Sequence, residues 1–217
     1  TKLDPWYTED PRFVTLYPYN PRKAQQILEE LGWKIGASGV REKDGKKLSL
    51  EFATVADVKL SEMMAVWTKD SFKKIGVDLQ IKLSPARIFF SEVITKRKFQ
   101  LAAYTTIFSP DWNPRAFFDP DGIPSEKNGF SGFNGSGLKN LELSRLLAAA
   151  EMELDAPKRI PLMRQAVKII TEENPYIPLY YRNLTAVVPL GLKNFSMSPH
   201  SSTEFYEIEN WQFAKAP

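Results

Sequence analysis

The sequence predicts an α/β protein, a mixed sheet with helices packed against it, and three observations lead there. Leu48, Leu50 and Phe52, and then Val77, Leu79, Ile81 and Leu83, alternate with polar residues at the period of a strand with one buried face. Between these segments, about Ser61 to Ile75 has helical spacing, with Met64, Trp67 and Ile75 on one stripe and Gly76 at its end. Finally, Phe99 to Ile107 is an apolar run of the kind expected for a strand buried on both faces. Strand, helix, strand, helix, strand is the order of a layered α/β domain.

Ala24, Ile27, Leu28 and Leu31 stand at i, i+3, i+4 and i+7, preceded by the capping residue Asn20 and Pro21 and followed by Gly32, which defines a first helix. Gly39 to Lys43 then meets Lys46 to Phe52 across Asp44-Gly45, a dipeptide that accepts the positive φ angles of a tight hairpin. Ser84-Pro85 opens a third helix reaching about Arg97. From Phe108 to Asn140 the periodicity stops. The stretch holds five glycines and four prolines, and its length marks it as a candidate functional loop, here assigned to residues 108–140. Helical spacing returns over Leu141 to Glu153 and Ala156 to Glu173; Pro161 removes an interior bond, so the second of these either starts near Ile160 or bends. Short strand signals follow at Ile177–Tyr181, Ala186–Val188 and Phe205–Phe213.

Composition excludes much chemistry. The 217 residues carry 29 basic and 26 acidic side chains, a formal charge of +3, with 43% hydrophobic residues to build a core. Zero cysteines remove disulfides, thiolate nucleophiles and Cys-ligated metals, and the single His200 cannot supply a multi-imidazole zinc site, so no metal or cofactor is expected. The densest basic run, Arg41 to Lys47, is interrupted by Glu42 and Asp44 and reads as a solvated hairpin rather than a nucleic-acid groove. No run reaches the roughly 18 apolar residues that a membrane helix needs. The chain opens on Thr1, which reads as a cut end.

Five segments in order then resemble one family. They are Tyr19-Asn20-Pro21-Arg22-Lys23-Ala24 with Leu28-Glu29-Glu30-Leu31-Gly32-Trp33; Val40 to Leu48; Phe72 to Leu79; Ser109-Pro110-Asp111; and Glu173-Asn174-Pro175-Tyr176-Ile177-Pro178-Leu179-Tyr180-Tyr181. Together they resemble the family 5 extracellular solute-binding proteins, which include the dipeptide and oligopeptide receptors of ABC importers. The resemblance implies that residues 1–217 are the large C-terminal lobe of a two-lobed, periplasmic-binding-protein-like fold, with the 108–140 loop on the cleft side. This chain departs from the family in a shortened turn at Ile35 to Gly39, in Ser144 where relatives often have Asp, and in a shorter spacing from Asp111 to Pro114.

The same resemblance implies that Asp111 accepts a ligand's terminal ammonium, with Phe108, Ser109, Trp112 and Asn113 around it. A carboxylate enclosed with an ammonium makes charge-assisted hydrogen bonds. The alternative for Asp111 is an Asx-turn or helix cap, and for Phe108 and Trp112 a place in the core. Other constellations are weaker. Asp119-Pro120-Asp121-Gly122 lacks the spacing and the twelfth-position carboxylate of a calcium loop and reads as a turn. Gly129, Gly132, Gly135 and Gly137 follow no strand, which argues against a phosphate cradle. His200 with Ser198 or Ser201 has no nucleophile elbow nearby and reads as a surface residue.

The expected function is therefore that of a non-catalytic receptor, capturing a peptide or similar small solute outside the cytoplasmic membrane, in the periplasm or extracellularly, for an ABC importer. Its implied partners are the solute, an N-terminal lobe, a membrane permease and no nucleic acid, and the receptor is expected to be a monomer. If it is a lipoprotein, a preceding N-terminal segment would tether it to the membrane. The alternative is a carboxylate-dependent hydrolase using two of Asp111, Asp119 and Asp121.

Overall fold

Asn20 caps the first helix as its position predicts: its side-chain oxygen accepts the Lys23 N–H at 2.9 Å, and α1 runs Pro21–Glu30. The computed structural model describes residues 5–106, 114–180, 185–198 and 205–213. After α1, strands β1 (Lys34–Ile35), β2 (Arg41–Lys43) and β3 (Lys46–Lys47) form a small antiparallel sheet in that order. The β2–β3 turn has φ of 51° at Asp44 and 72° at Gly45, the two positive values expected of this dipeptide.

The hairpin strand expected to continue to Phe52 divides at Leu48. The Leu48 N–H donates to the Arg41 carbonyl at 2.7 Å, while its own carbonyl accepts the Asp78 N–H at 3.0 Å. From there the chain enters a second sheet. Its central strand β4 (Ser49–Val55) is followed by α2 (Lys59–Lys73), β5 (Asp78–Ser84), α3 (Ala86–Ile88) continuing into a π-helix at Phe89–Ile94, and β6 (Leu101–Ala103). Both β5 and β6 pair with β4 in parallel, giving the order β5-β4-β6.

Alternation along β4 sends its side chains into two cores. Phe52 packs with Ala65 of α2 and Leu79 of β5, supported by Leu50, Phe72 and Ile81. On the opposite face Ala53 and Val55 pack with Phe89 of the π-helix, supported by Val93, Ile94, Phe99 and Ala102. The strand buried on both faces is thus β4. The 99–107 run expected to fill that role yields only the three half-buried residues of β6, at an edge of the sheet; Ile107 lies outside the described residues. The stripe expected on α2 also shifts: Ala65 is its buried residue, and Trp67 is 61% exposed. The helix expected to reach Arg97 leaves α geometry at Phe89, and Phe90's carbonyl accepts both the Thr95 N–H at 3.0 Å and the Thr95 hydroxyl at 2.7 Å.

Next come α4 (Arg115–Phe118), α5 (Leu141–Met152) and α6 (Ala156–Glu173). Asn140 caps α5 by accepting the Leu143 N–H at 2.9 Å, and the buried Leu143, Leu146, Leu147 and Ala150 of α5 accompany the buried Met163 and Ala166 of α6 where the two helices pack. Pro161 lies inside α6, so the alternative in which that helix begins near Ile160 is corrected: Lys158 and Arg159 already donate to the Asp155 carbonyl, and the proline forfeits one early bond.

By chain contacts the protein divides into two units, one of residues 1–104 with 114–175, the other of residues 105–113 with 176–217. In the second, β7 (Leu192–Lys193) pairs antiparallel with β8 (Gln212–Phe213), and Trp211 packs on Phe195 with ring centroids 5.2 Å apart. The described residues of 177–180 and 186–188 form no strand, and of 205–213 only the last two do. In 177–180 and 186–188 apolar residues beside Pro178 and Pro189 give a strand-like pattern that meets no partner strand among the described residues.

Arg41 corrects the solvated-hairpin expectation. Lys43, Lys46 and Lys47 are exposed, but Arg41 is only 2% exposed. Its Nε donates to the Ile75 carbonyl at 2.7 Å and its Nη1 to the Trp33 carbonyl at 2.8 Å, with the Glu29 carboxylate at 3.5 Å. Arg41→Met should cost about 2–4 kcal/mol in urea unfolding, because two carbonyls lose their donor inside the protein. Arg41→Lys should recover only part, since one ammonium does not reproduce the guanidinium fork. A loss under about 1 kcal/mol for Arg41→Met would show the bonds to be incidental.

Candidate functional site

In an open parallel sheet, the place where successive connections leave toward opposite sides opens a crevice at the carboxyl ends of the strands. Here that place lies between β4 and β6, because the chain passes from β4 to β5 on one side and returns to β6 on the other. The edge is held by the Ala56 N–H donating to the Ser84 carbonyl at 2.8 Å, and by the buried Thr54 hydroxyl donating to the Ala103 carbonyl at 2.8 Å. Asp57, at φ 62°, turns the chain from β4 into α2 and donates its N–H to the Glu62 carboxylate at 3.1 Å.

Three aromatic rings gather at this carboxyl edge. Phe89 is fully buried, and Phe90 and Tyr104 both meet it edge to face, with centroids 5.2 and 6.1 Å away; Phe90 and Tyr104 are 5.7 Å apart. Phe90 remains 42% exposed. The sequence pattern places Phe90 within the helix expected to reach Arg97 and marks no site role for it. The signal it carried was a second large aromatic beside Phe89, directly after α3.

The residues expected to hold ligand, Phe108, Ser109, Asp111, Trp112 and Asn113, lie outside the described residues, as does His200. In sequence they follow closely on β6. Downstream, the 114–140 stretch is built from short helical turns around a polar knot. Asn134 is fully buried; its Nδ2 donates to the carbonyls of Asp119 at 3.1 Å and Leu138 at 2.9 Å, and its Oδ1 accepts the Ser136 hydroxyl and the Gly137 N–H, each at 3.0 Å. At Gly132, φ 112°, a Cβ would lie 2.1 Å from the Gly122 carbonyl oxygen, so only glycine permits the approach. This glycine serves backbone packing. Arg97 reaches from beyond the π-helix to the same stretch, donating to the Gly135 carbonyl at 3.1 Å.

Asp119 forms the second half of the knot. The Asp119-Pro120-Asp121-Gly122 turn is present as expected, with Asp119 accepting the Asp121 N–H at 3.1 Å at the head of a short 3-10 helix, Pro120–Gly122. Its carboxylate also accepts from Arg115 Nε at 2.8 Å and from the Ser144 hydroxyl at 3.1 Å, and Arg115 bridges on to Glu151 at 3.0 Å. Burial pushes the Asp119 carboxyl up, but the Arg115, Asp121 and Ser144 donors outweigh it and hold the group below its ordinary 3.8. Such a carboxylate stays ionised and is a poor proton donor.

Elsewhere a groove of about 420 Å³ lies between the N-terminal segment and α6, lined by Trp6, Tyr7, Thr8, Glu9, Val14, Leu16 and Val167. Lys168 fastens that segment by donating to the Pro11 carbonyl at 3.2 Å and the Thr15 hydroxyl at 2.9 Å. Among the described residues no group of three or more His, Cys, Asp or Glu side chains is placed to hold a metal ion, and no helix is long and apolar enough to cross a membrane.

Comparison with known proteins agrees with this architecture. Residues 1–129 match the family described as bacterial extracellular solute-binding proteins, family 5 Middle. The chain belongs to that family. Among its relatives, the oligopeptide-binding protein AppA of Bacillus subtilis (strain 168) is 29% identical over 203 residues, covering 93% of this chain and 36% of the relative. The nickel-binding periplasmic protein of Escherichia coli (strain K12) is 27% identical over 185 residues, covering 83% of this chain and 34% of the relative. The structure of AppA from Bacillus subtilis in complex with a nonapeptide superposes with a TM-score of 0.78 at 27% identity, over 97% of this chain and 40% of that one. The oligopeptide-binding protein from Thermus thermophilus complexed with a pentapeptide gives 0.75 at 25% identity, over 84% and 32%. The chain thus spans little more than a third of the curated relatives it matches.

Asp119 generates a pH prediction. Because its folded pKa is depressed, its contribution to stability is fully present above the ordinary carboxylate range and is lost as pH falls through the folded value. Asp119→Asn should therefore lower stability at about pH 7 and flatten the acid-side decline between about pH 5 and 3, followed by urea midpoints. Parallel declines in variant and wild type would mean that the carboxylate's pairing contributes nothing.

Proposed function

We propose that the full-length protein is the solute-binding component of an ABC importer and that residues 1–217 form its large C-terminal lobe, which closes with an N-terminal lobe around a peptide or similar small solute. The observation that carries this reading is the agreement of 97% of the chain with an oligopeptide-binding protein solved with a nonapeptide, at a TM-score of 0.78. The protein then works in the periplasm or outside the cell, as a monomer, and hands its cargo to a membrane permease. The peptide is preferred as cargo because oligopeptide-binding proteins recur among the relatives, one of which is nevertheless a nickel-binding protein.

The hydrolase alternative finds no support in Asp119. A general acid needs a raised pKa, and Asp119 is held low and saturated with donors. The receptor reading asks for no proton transfer. It asks for a carboxylate to receive an ammonium, which is the role assigned to Asp111, with Phe108, Ser109, Trp112 and Asn113 completing the ligand's surroundings.

Calorimetry on the full-length receptor with short peptides tests this directly. Asp111→Asn keeps the shape of the side chain and removes its charge, so affinity for free-amine peptides should fall by about 30-fold to several thousand-fold, the equivalent of about 2–5 kcal/mol. N-acetylated peptides should bind wild type weakly and be indifferent to the substitution. Unchanged affinity for free-amine peptides would return Asp111 to the turn-forming role.

A further inference from the structure

We propose that Phe90, braced by Phe89 and Tyr104, is a specificity-determining residue for an apolar or aromatic side chain of the ligand. The inference rests on the receptor reading and assigns a chemical preference to its site. Its starting point is position: Phe90 stands in the first turns after β5 and Tyr104 directly after β6, so both lie at the carboxyl edge of the sheet. That edge holds the switch of strand order, where open α/β sheets bind their ligands.

The local geometry supports the same assignment. The three rings are mutually edge to face, at interplanar angles of 82°, 67° and 86°, so Phe90 is fixed in orientation by a fully buried neighbour while 42% of its surface stays open. An exposed ring held this way loses little conformational freedom when something packs on it. The π-helix contributes as well. Such segments are rare and concentrate at functional sites. Here the wider turn is pinned by Thr95 donating twice to the Phe90 carbonyl. Leu83 and Ile88, 46% and 48% exposed at the same β5–α3 junction, add apolar surface there. None of Phe90, Leu83 and Ile88 carries a charge, so the surface they offer favours apolar over charged side chains.

The test uses the full-length receptor and a set of alanine tetrapeptides in which phenylalanine replaces each position in turn, measured by calorimetry. Wild type should show at least one position where phenylalanine tightens binding about tenfold, in line with burial of one ring with an added edge-to-face contact. In Phe90→Ser that gain should fall below about twofold, and Phe90→Leu should keep part of it. A full gain persisting in Phe90→Ser overturns the assignment. So does an equal loss for tetra-alanine and phenylalanine peptides, which would make Phe90 a purely structural residue. A wild-type receptor that binds none of the peptides overturns the peptide reading itself and this inference with it. Peptide binding that ignores Phe90 overturns the inference alone.

Discussion

The buried Arg41 guanidinium is the constraint on which the first half of the chain depends. Its side chain joins the turn after α1, through Trp33, to the turn before β5, through Ile75, and its backbone joins both to the start of β4 by donating to Gly76 and accepting from Leu48. A charged group at 2% exposure is costly to desolvate, and it is tolerated because the planar fork meets two carbonyls at once, with Glu29 as partial counter-charge. The result is a fixed relation between the small antiparallel sheet and the amino end of the parallel one.

From that anchored end the parallel sheet runs to its carboxyl edge. β4 is packed on both faces, by α2 on one and the π-helix on the other, so its register leaves little room for slippage. At the carboxyl edge Phe90 stays 42% exposed beside the fully buried Phe89. The polar knot of Asp119, Asn134, Arg115 and Ser144 has a related role in the 114–140 stretch. It substitutes hydrogen bonds for the apolar packing that a glycine-rich segment cannot supply.

Asp119 and Asp78 are both stabilised as anions by neighbouring donors. The chain belongs to the family 5 solute-binding proteins, and an aromatic cluster stands at the carboxyl edge of its parallel sheet.

Much of the fold was legible in the sequence because its signals are local. Asn20 and Asn140 cap helices, Asp44-Gly45 turns a hairpin, and alternation over residues 77–83 marks a strand, since each depends on the dihedral preference or side-chain reach of a few consecutive residues. The likeness to a solute-binding family was legible too, from ordered segments, although the five residues proposed to meet ligand stand outside the described residues. What the sequence could not decide is which equivalent-looking residue would be enclosed. Arg41 reads like its lysine neighbours, Trp67 reads as core, and the 99–107 run reads as the central strand, yet the centre went to β4, the solvent to Trp67 and the interior to Arg41. Burial is a property of what packs against a residue, and those partners, Ile75 and Trp33 for Arg41, Ala65 and Phe89 for β4, come from distant parts of the chain and meet only in the tertiary structure.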